Sequence, residues 1–188
     1  LLGSPLNVAI KPNTAIWQQT VGTSTHRWIA EHVVQGVPVF PGAAYVEMAL
    51  AAKAHALGIG PKVIEGLVFE RMLALPDDHT PVVQVVLDGD GAQRELTIAS
   101  RAAETAQWLV HARGHIIDSA GNREQPLDSL ANVRLRCTEK LLVSEHYARL
   151  ASCGLEYGGL FRGVHEIWRG TKEVLAQVKL SGNSSGEF

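Results

Sequence analysis

Residues that could carry out chemistry concentrate between His32 and Gly42 of this 188-residue chain. His32 precedes a short apolar run, Gly36 follows four residues later, and the pair Pro41-Gly42 leads into an alanine-rich segment. Imidazole titrates closest to neutral pH, so histidine is the side chain that most often moves a proton in catalysis. A helix that begins at the Pro-Gly pair would add unpaired N–H groups and a positive dipole end. A base beside such a helix terminus suits abstraction of a proton next to a carbonyl group.

The elements that must position these residues are a helix and the segment before it. The alanine-rich stretch predicts a helix from Ala43 to Leu57, ended by Gly58. Alanines occur on all its sides, so we expect other backbone to approach closely and the helix to be buried inside a curved sheet. Between His32 and Phe40, glycine and proline disfavour a regular strand, and we expect an irregular loop there.

Downstream of the helix, the hydrophobic pattern has period two and predicts an antiparallel meander. The predicted strands are 63–69, 71–75, 81–87, 94–100 and 107–117, preceded near the N-terminus by strands at 8–10 and 14–21. Asp88-Gly89-Asp90-Gly91 is the strongest hairpin signal. One long helix among consecutive antiparallel strands indicates an α+β fold in which the sheet curls around the helix.

A second unit follows. The polar stretch 118–130 predicts a linker between a first unit at 1–117 and a second at 131–188. Within the second unit, we expect a helix at 144–152 capped by Ser144, and strands at 164–168 and 174–180. These elements would begin a sheet that this sequence does not complete.

The composition excludes several classes of function. With 46% hydrophobic residues, 19% charged residues and a formal charge of −2, the chain offers no basic patch for nucleic acid or an anionic membrane. Two cysteines are too few for a disulfide scaffold or a zinc site, which favours a reducing cytoplasm. No apolar run is long enough to span a bilayer. The other seven histidines share no spacing, so we expect no metal site.

Three segments together resemble the dehydratase domains of modular type I polyketide synthases. They are His32-x3-Gly36-x4-Pro41 with the following Gly42–Ala52, the start Leu2-Gly3-Ser4-Pro5-Leu6, and Gly154-Leu155-Glu156-Tyr157-Gly158-x-x-Phe161. The segments occur in the family's order. Family members commonly carry proline where this chain has Gly159, which makes the loop here more flexible.

The resemblance implies a double hotdog, in which two curled antiparallel sheets each surround one long helix, with the first hotdog complete here and the second truncated. It implies dehydration of a 3-hydroxyacyl thioester, carried on the phosphopantetheine arm of an acyl carrier protein, to an enoyl thioester during polyketide chain extension. His32 would be the base, and N–H groups near Gly42 would polarise the carbonyl. Gly36 and Pro41 would shape the loop, while Tyr157 and Phe161 would line the substrate tunnel. The family also implies a homodimer, neighbouring synthase domains and no resident cofactor.

The family's second catalytic residue is an aspartate in an Asp-x3-Gln or Asp-x3-His pattern, which protonates the departing hydroxyl. None of the six aspartates in this sequence has that spacing, so we expect the acid to lie outside it and the chain alone to be inactive. Three other readings stay open at this point. One is a related domain that adds cyclisation or double-bond migration, another is a non-catalytic hotdog serving as a structural or docking unit, and the weakest is a hotdog thioesterase. Without the resemblance, His32 would be taken for a structural histidine, and Tyr157 and Phe161 could equally be core residues.

Overall fold

The chain folds into two compact units. The computed structural model describes residues 1–9, 11–58, 62–77, 79–91, 93–104, 106–118 and 128–180, except the side chains of Lys62 and Asp118. One unit comprises Leu1–Ile29 and Pro38–Gly121, and the other comprises Ala30–Val37 and Asn122–Phe188. This division differs from the contiguous one predicted from the sequence, because the short segment 30–37 belongs with the second unit. Most of the predicted linker, 118–130, lies outside the described residues.

The strand pairs whose register is described are antiparallel. In chain order the strands are β1 (Ser4–Leu6), β2 (Ala15–Thr20), β3 (His32–Val34), β4 (Val37–Pro38), β5 (Lys62–Phe69), β6 (Val82–Asp88), β7 (Gln93–Arg101), β8 (Leu109–Asp118), β9 (Glu139–Leu141), β10 (Leu155–Tyr157), β11 (Val164–Arg169) and β12 (Val174–Val178). The helices are α1 (Gly42–Leu57), α2 (Leu130–Arg136) and α3 (Val143–Ser152). Two 3-10 turns lie at Arg27–Glu31 and Gly159–Phe161.

The described residues of the first unit form a six-stranded antiparallel sheet in the order β1-β2-β6-β7-β8-β5. The predicted meander is confirmed for β6, β7 and β8, and β6 alternates between half-buried and buried residues as a half-buried strand should. The strand predicted at 71–75 is wrong, because only Ala74 pairs there, in an isolated bridge to Val39. The first strand was predicted at 8–10, whereas β1 lies at Ser4–Leu6 and residue 10 falls outside the described residues.

Helix α1 confirms the predicted helix and begins one residue earlier than expected. Pro41 occupies its N-cap position with an extended backbone, and Gly58 ends it with φ 74° while its N–H donates to the Ala54 carbonyl at 3.1 Å. The helix contacts β5 and β6, but only one face is buried. The buried residues are Ala44, Tyr45, Met48, Ala49 and Ala52. The opposite face exposes Val46 and Leu50, so burial on all sides was a wrong expectation.

The segment before α1 is a hairpin and not the irregular loop expected from its glycine and prolines. Strands β3 and β4 are joined by Gln35 and Gly36, which have φ of 50° and 79°. Positive φ at both central residues is the requirement of a type I′ hairpin turn, whose twist matches that of the flanking strands. Gly36 therefore supplies the positive φ that the turn between β3 and β4 requires.

In the second unit, β3 pairs with β10, and β11 lies between β9 and β12. The helix predicted at 144–152 is confirmed as α3, but Ser144 does not cap it, because the N-cap position is Leu142. Helix α2 was not predicted from the sequence. Its N-cap is Ser129, whose hydroxyl accepts a hydrogen bond from the Asn132 N–H at 3.2 Å.

A buried histidine connects two strands of the first unit to the loop that follows β5. His111 on β8 is 2% exposed, and its Nδ1 lies 3.1 Å from the Arg71 carbonyl oxygen. A carbonyl only accepts, so Nδ1 carries the proton and Nε2 accepts from the Ser100 hydroxyl at 2.8 Å. Burial lowers the pKa of His111, and the hydrogen bond to the Arg71 carbonyl opposes this only in part. The folded state therefore favours the neutral form of the His111 imidazole.

We predict that His111 makes the folded state acid-sensitive. Since its pKa is lower in the folded state, the unfolded chain binds a proton first, and stability is lost as pH falls below the unfolded value near 6.5. Thermal denaturation between pH 8 and 5 should show this fall in the parent protein. His111→Gln should flatten the fall relative to the parent, and an identical pH slope in the two proteins would contradict the assignment.

Candidate active site

His32 lies on a strand that the local sequence and a distant partner both support. It is the first residue of β3, where Val33 and Val34 favour extended backbone. The strand pairs antiparallel with β10, and the residue directly opposite His32 is Tyr157. The Gln35 N–H extends this pairing by donating to the Gly154 carbonyl at 2.7 Å. His32 is half-buried, so its side chain is held in place yet accessible.

Two aromatic rings contact the His32 imidazole. Tyr157 stacks on it with ring centroids 5.2 Å apart and an interplanar angle of 22°. Phe161 approaches to 5.1 Å at an angle of 56°, and the two aromatic rings are 6.1 Å from each other. The sequence predicted all three residues as site residues, and the structure brings them together within the second unit. The imidazole thus lies against an apolar surface. Electrostatic interactions beside such a surface are stronger than in water, because the local dielectric constant is lower.

The backbone that carries the two rings approaches Glu31 very closely. The Gly158 N–H donates to the Glu31 carbonyl at 2.8 Å, and the Leu160 N–H donates to Glu31 Oε2 at 2.7 Å. A Cβ on Gly158 would lie 2.6 Å from Glu31 Oε2 and 2.7 Å from Glu31 Cβ. Gly158 has an ordinary φ of −76°, so the need for glycine there is one of space and not of backbone conformation.

The remaining predicted site residues lie along the hairpin and the start of α1. Gly36 is in the hairpin turn with open space around its α-carbon. Pro41 and Gly42 belong to the first unit, where they are the N-cap and the first residue of α1. The Phe69 ring would be 3.6 Å from a Cβ on Gly42, an ordinary van der Waals contact. The first helical turn begins at Gly42, directly after the proline and one residue before the predicted start at Ala43.

Sequence reasoning missed two charged residues of this region. Glu31 precedes His32 directly, and Arg162 follows Phe161 directly. The Arg162 Nε donates to the Tyr157 carbonyl at 2.8 Å, and its guanidinium lies 5.3 Å from the centre of the Tyr147 ring. Adjacency to a candidate base and to a candidate aromatic residue was the only signal in the sequence, and it does not reveal which backbone groups these side chains bind.

No group of three or more His, Cys, Asp and Glu side chains among the described residues could hold a metal ion. No helix in the described part of the chain is long and apolar enough to cross a membrane.

The fold matches a class of protein, the double hotdog dehydratase domains of polyketide synthases. The CurK dehydratase, solved as an inactive aspartate-to-asparagine mutant, matches with a TM-score of 0.90 and 28% identity over 99% of this chain and 67% of that one. The dehydratase domain of a mycocerosic acid synthase-like polyketide synthase matches with a TM-score of 0.84 and 29% identity, over 97% of this chain and 64% of that one. A second inactive CurK mutant, a histidine-to-phenylalanine replacement, matches equally well.

Sequence comparison gives the family. Residues 1–101 match the model described as polyketide synthase dehydratase domain, and residues 125–187 match the one described as polyketide synthase dehydratase N-terminal domain. The chain belongs to the polyketide synthase dehydratase family. Polyketide synthase GfsE of Streptomyces halstedii is 34% identical over 88% of this chain, and mycoketide-CoA synthase of Mycobacterium tuberculosis is 35% identical over 85%. The chain spans 4% of each of these two relatives.

We predict that Gly158→Ala destabilises the second unit. The added methyl group would overlap the Glu31 side chain near its base, which cannot swing aside freely, so the free energy of unfolding should fall by about 1–3 kcal/mol. Urea denaturation measures the change. The neighbouring Gly159→Ala is the matched control, because its Cβ would lie 3.9 Å from Glu31 Oε2. Equal stability of Gly158→Ala and the parent protein would contradict the close approach.

Proposed function

We propose that the dehydratase domain containing this chain removes water from a 3-hydroxyacyl thioester carried on an acyl carrier protein. His32 is the base in this proposal. The observation that carries it is the position of His32 against Tyr157 and Phe161, in a chain of the polyketide synthase dehydratase family. The chain spans 67% of the CurK dehydratase, so the reaction is proposed for the complete domain.

The proposed reaction moves two protons and one hydroxyl group. A ring nitrogen of His32 takes the proton from the α-carbon, which the thioester carbonyl acidifies. The electron pair of the broken C–H bond forms the double bond to the β-carbon as the β-hydroxyl departs. A proton from an acid converts that hydroxyl to water, leaving an enoyl thioester. No electrons are transferred to or from a carrier, so we propose no resident cofactor.

The acid and the carbonyl ligand are assigned by family resemblance. An aspartate outside this sequence would protonate the hydroxyl, because none of the aspartates here has the family spacing. A loss of activity in the CurK mutants at an aspartate and at a histidine supports a two-residue mechanism. The first N–H groups of a helix lack intrahelical acceptors, so we propose that those near Gly42 polarise the thioester carbonyl. Gly36 and Pro41 would shape the backbone between base and helix.

The partners follow from the tethered substrate. An acyl carrier protein would present the acyl chain on its phosphopantetheine arm, and Tyr157 and Phe161 would line the space that the chain enters. The relatives that match are polyketide synthases of which this chain covers a small part, so neighbouring synthase domains are the proposed surroundings. The low cysteine content supports a proposed location in the cytoplasm. We also propose that the complete domain forms a homodimer.

We predict that His32→Ala in the complete domain lowers kcat by about 10²–10⁴-fold, the usual contribution of a general base. Turnover of a 3-hydroxyacyl thioester, followed by mass spectrometry of the enoyl product, measures the loss. His165→Ala is the matched control, because His165 is an exposed histidine of the same unit. Unchanged turnover in His32→Ala would refute the mechanism. A product with a ring or a shifted double bond would instead favour the related cyclase or isomerase reactions.

A second prediction concerns the 188-residue chain by itself. Because it holds the proposed base without an aspartate of the required spacing, it should not release enoyl product above the rate without enzyme. The complete domain should turn over the same substrate under the same conditions. Dehydration by the isolated chain would show that the acid lies among the residues of this sequence.

A further inference from the structure

Glu31 binds the segment that carries the two aromatic rings at two points. Its carbonyl accepts from the Gly158 N–H at 2.8 Å, and its carboxylate accepts from the Leu160 N–H at 2.7 Å. Hydrogen bonds to an ionised acceptor are shorter and roughly twice as strong as neutral ones. Gly158 leaves the space that the Glu31 side chain occupies. The carboxylate therefore lies directly against the backbone between Tyr157 and Phe161.

The segment depends on hydrogen bonds to hold its conformation. It contains the consecutive glycines Gly158 and Gly159, which permit many backbone conformations. The Phe161 N–H donates to the Gly158 carbonyl at 3.1 Å and the Arg162 N–H to the Gly159 carbonyl at 3.2 Å. The Arg162 Nε binds the Tyr157 carbonyl at 2.8 Å, and β10 anchors the end at Tyr157. Between these points, the described hydrogen bonds to Glu31 join the turn to the residue that precedes His32.

The same turn determines where the rings lie on the imidazole. Tyr157 and Phe161 contact His32 at centroid distances of 5.2 and 5.1 Å, one from each end of the segment. A displacement of the turn would move Phe161 away from the imidazole and change how the ring of His32 is packed. A misplacement of about 1 Å at a reacting group can cost about 10²-fold in rate.

We infer that Glu31 is a positioning residue for His32, acting through the Gly158–Phe161 turn and its aromatic rings. The expected effect of Glu31 on catalysis rests on the proposed function. Its expected effect on the position of the imidazole rests on geometry alone. Glu31 itself is not proposed to contact the reacting atoms. The carboxylate fixes the turn, the turn places Phe161, and Phe161 with Tyr157 restricts the rotation of the His32 ring.

The test compares four variants of the complete dehydratase domain. Glu31→Ala removes the acceptor, and Glu31→Asp keeps the charge but shortens its reach, which leaves a usable variant where alanine prevents folding. Glu31→Gln keeps an amide oxygen that can accept from the Leu160 N–H. Glu156→Ala is the matched control, because Glu156 is an exposed carboxylate on the neighbouring strand β10.

Two measurements decide the outcome. Glu31→Ala and Glu31→Asp should lower kcat by about 10–100-fold with little change in KM, and Glu31→Gln should recover most of that loss. In NMR spectra of histidine-labelled protein, the His32 ring protons should lose the upfield shift that stacked aromatic rings cause, in the alanine and aspartate variants only. Glu156→Ala should match the parent in both measurements.

The inference is overturned if His32 ring resonances in Glu31→Ala and Glu31→Asp match those of the parent, whatever happens to turnover. It is also overturned if Glu31→Gln fails to recover either measurement. Failure of the proposed function has a different signature, because His32→Ala would then turn over substrate normally while the ring resonances of the Glu31 variants still shift.

Discussion

The antiparallel pairing of β3 with β10 is the interaction on which the candidate site depends. It places Tyr157 directly opposite His32 and positions the following turn so that Phe161 reaches the same imidazole. Two residues that are distant in the chain become cross-strand neighbours, whose side chains lie close enough to pack. Without this pairing, His32 would be an ordinary histidine at the start of a short hairpin.

The region around this pairing shows how a small number of backbone contacts can support a catalytic side chain. Gly158 provides space, Glu31 provides a charged acceptor, and the Arg162 Nε binds the Tyr157 carbonyl. Each contact involves backbone groups of one short segment, so the rings of that segment are held by hydrogen bonds as well as by packing. Functional side chains need such support, because a loosely held group loses much of its effect on rate.

Much of this organisation was predictable from local sequence. Helix α1 and the β6–β7 hairpin depend on alanine content, a terminal glycine and an Asp-Gly turn, all of which act over a few residues. The motif residues His32, Tyr157 and Phe161 were identified by resemblance. The assignment of segment 30–37 to the second unit was not predictable, because it depends on pairing with a strand far along the chain.

Other differences concern single residues. The glycine and prolines before α1 predict an irregular stretch because they disfavour regular strands, whereas Gly36 and the positive φ of Gln35 build a tight hairpin. Ser144 has the right chemistry for a helix cap but lies inside α3, two residues after the N-cap position. The contacts of Glu31 involve backbone N–H groups, which every non-proline residue has, so no side-chain motif could reveal them.

Because segment 30–37 belongs to the second unit, the order of synthesis affects when the candidate site can form. Val34 and Leu155 pair although they are 121 positions apart, so β3 leaves the ribosome long before its partner strand exists. At about 5–20 residues per second, the delay is roughly 6–24 s. During that time most of the first sheet can form, while β3, which carries His32, still lacks its partner β10. The candidate active site is therefore among the last parts of this chain to assemble during translation, and a nascent chain halted before β10 would contain a largely formed first unit without a fixed His32.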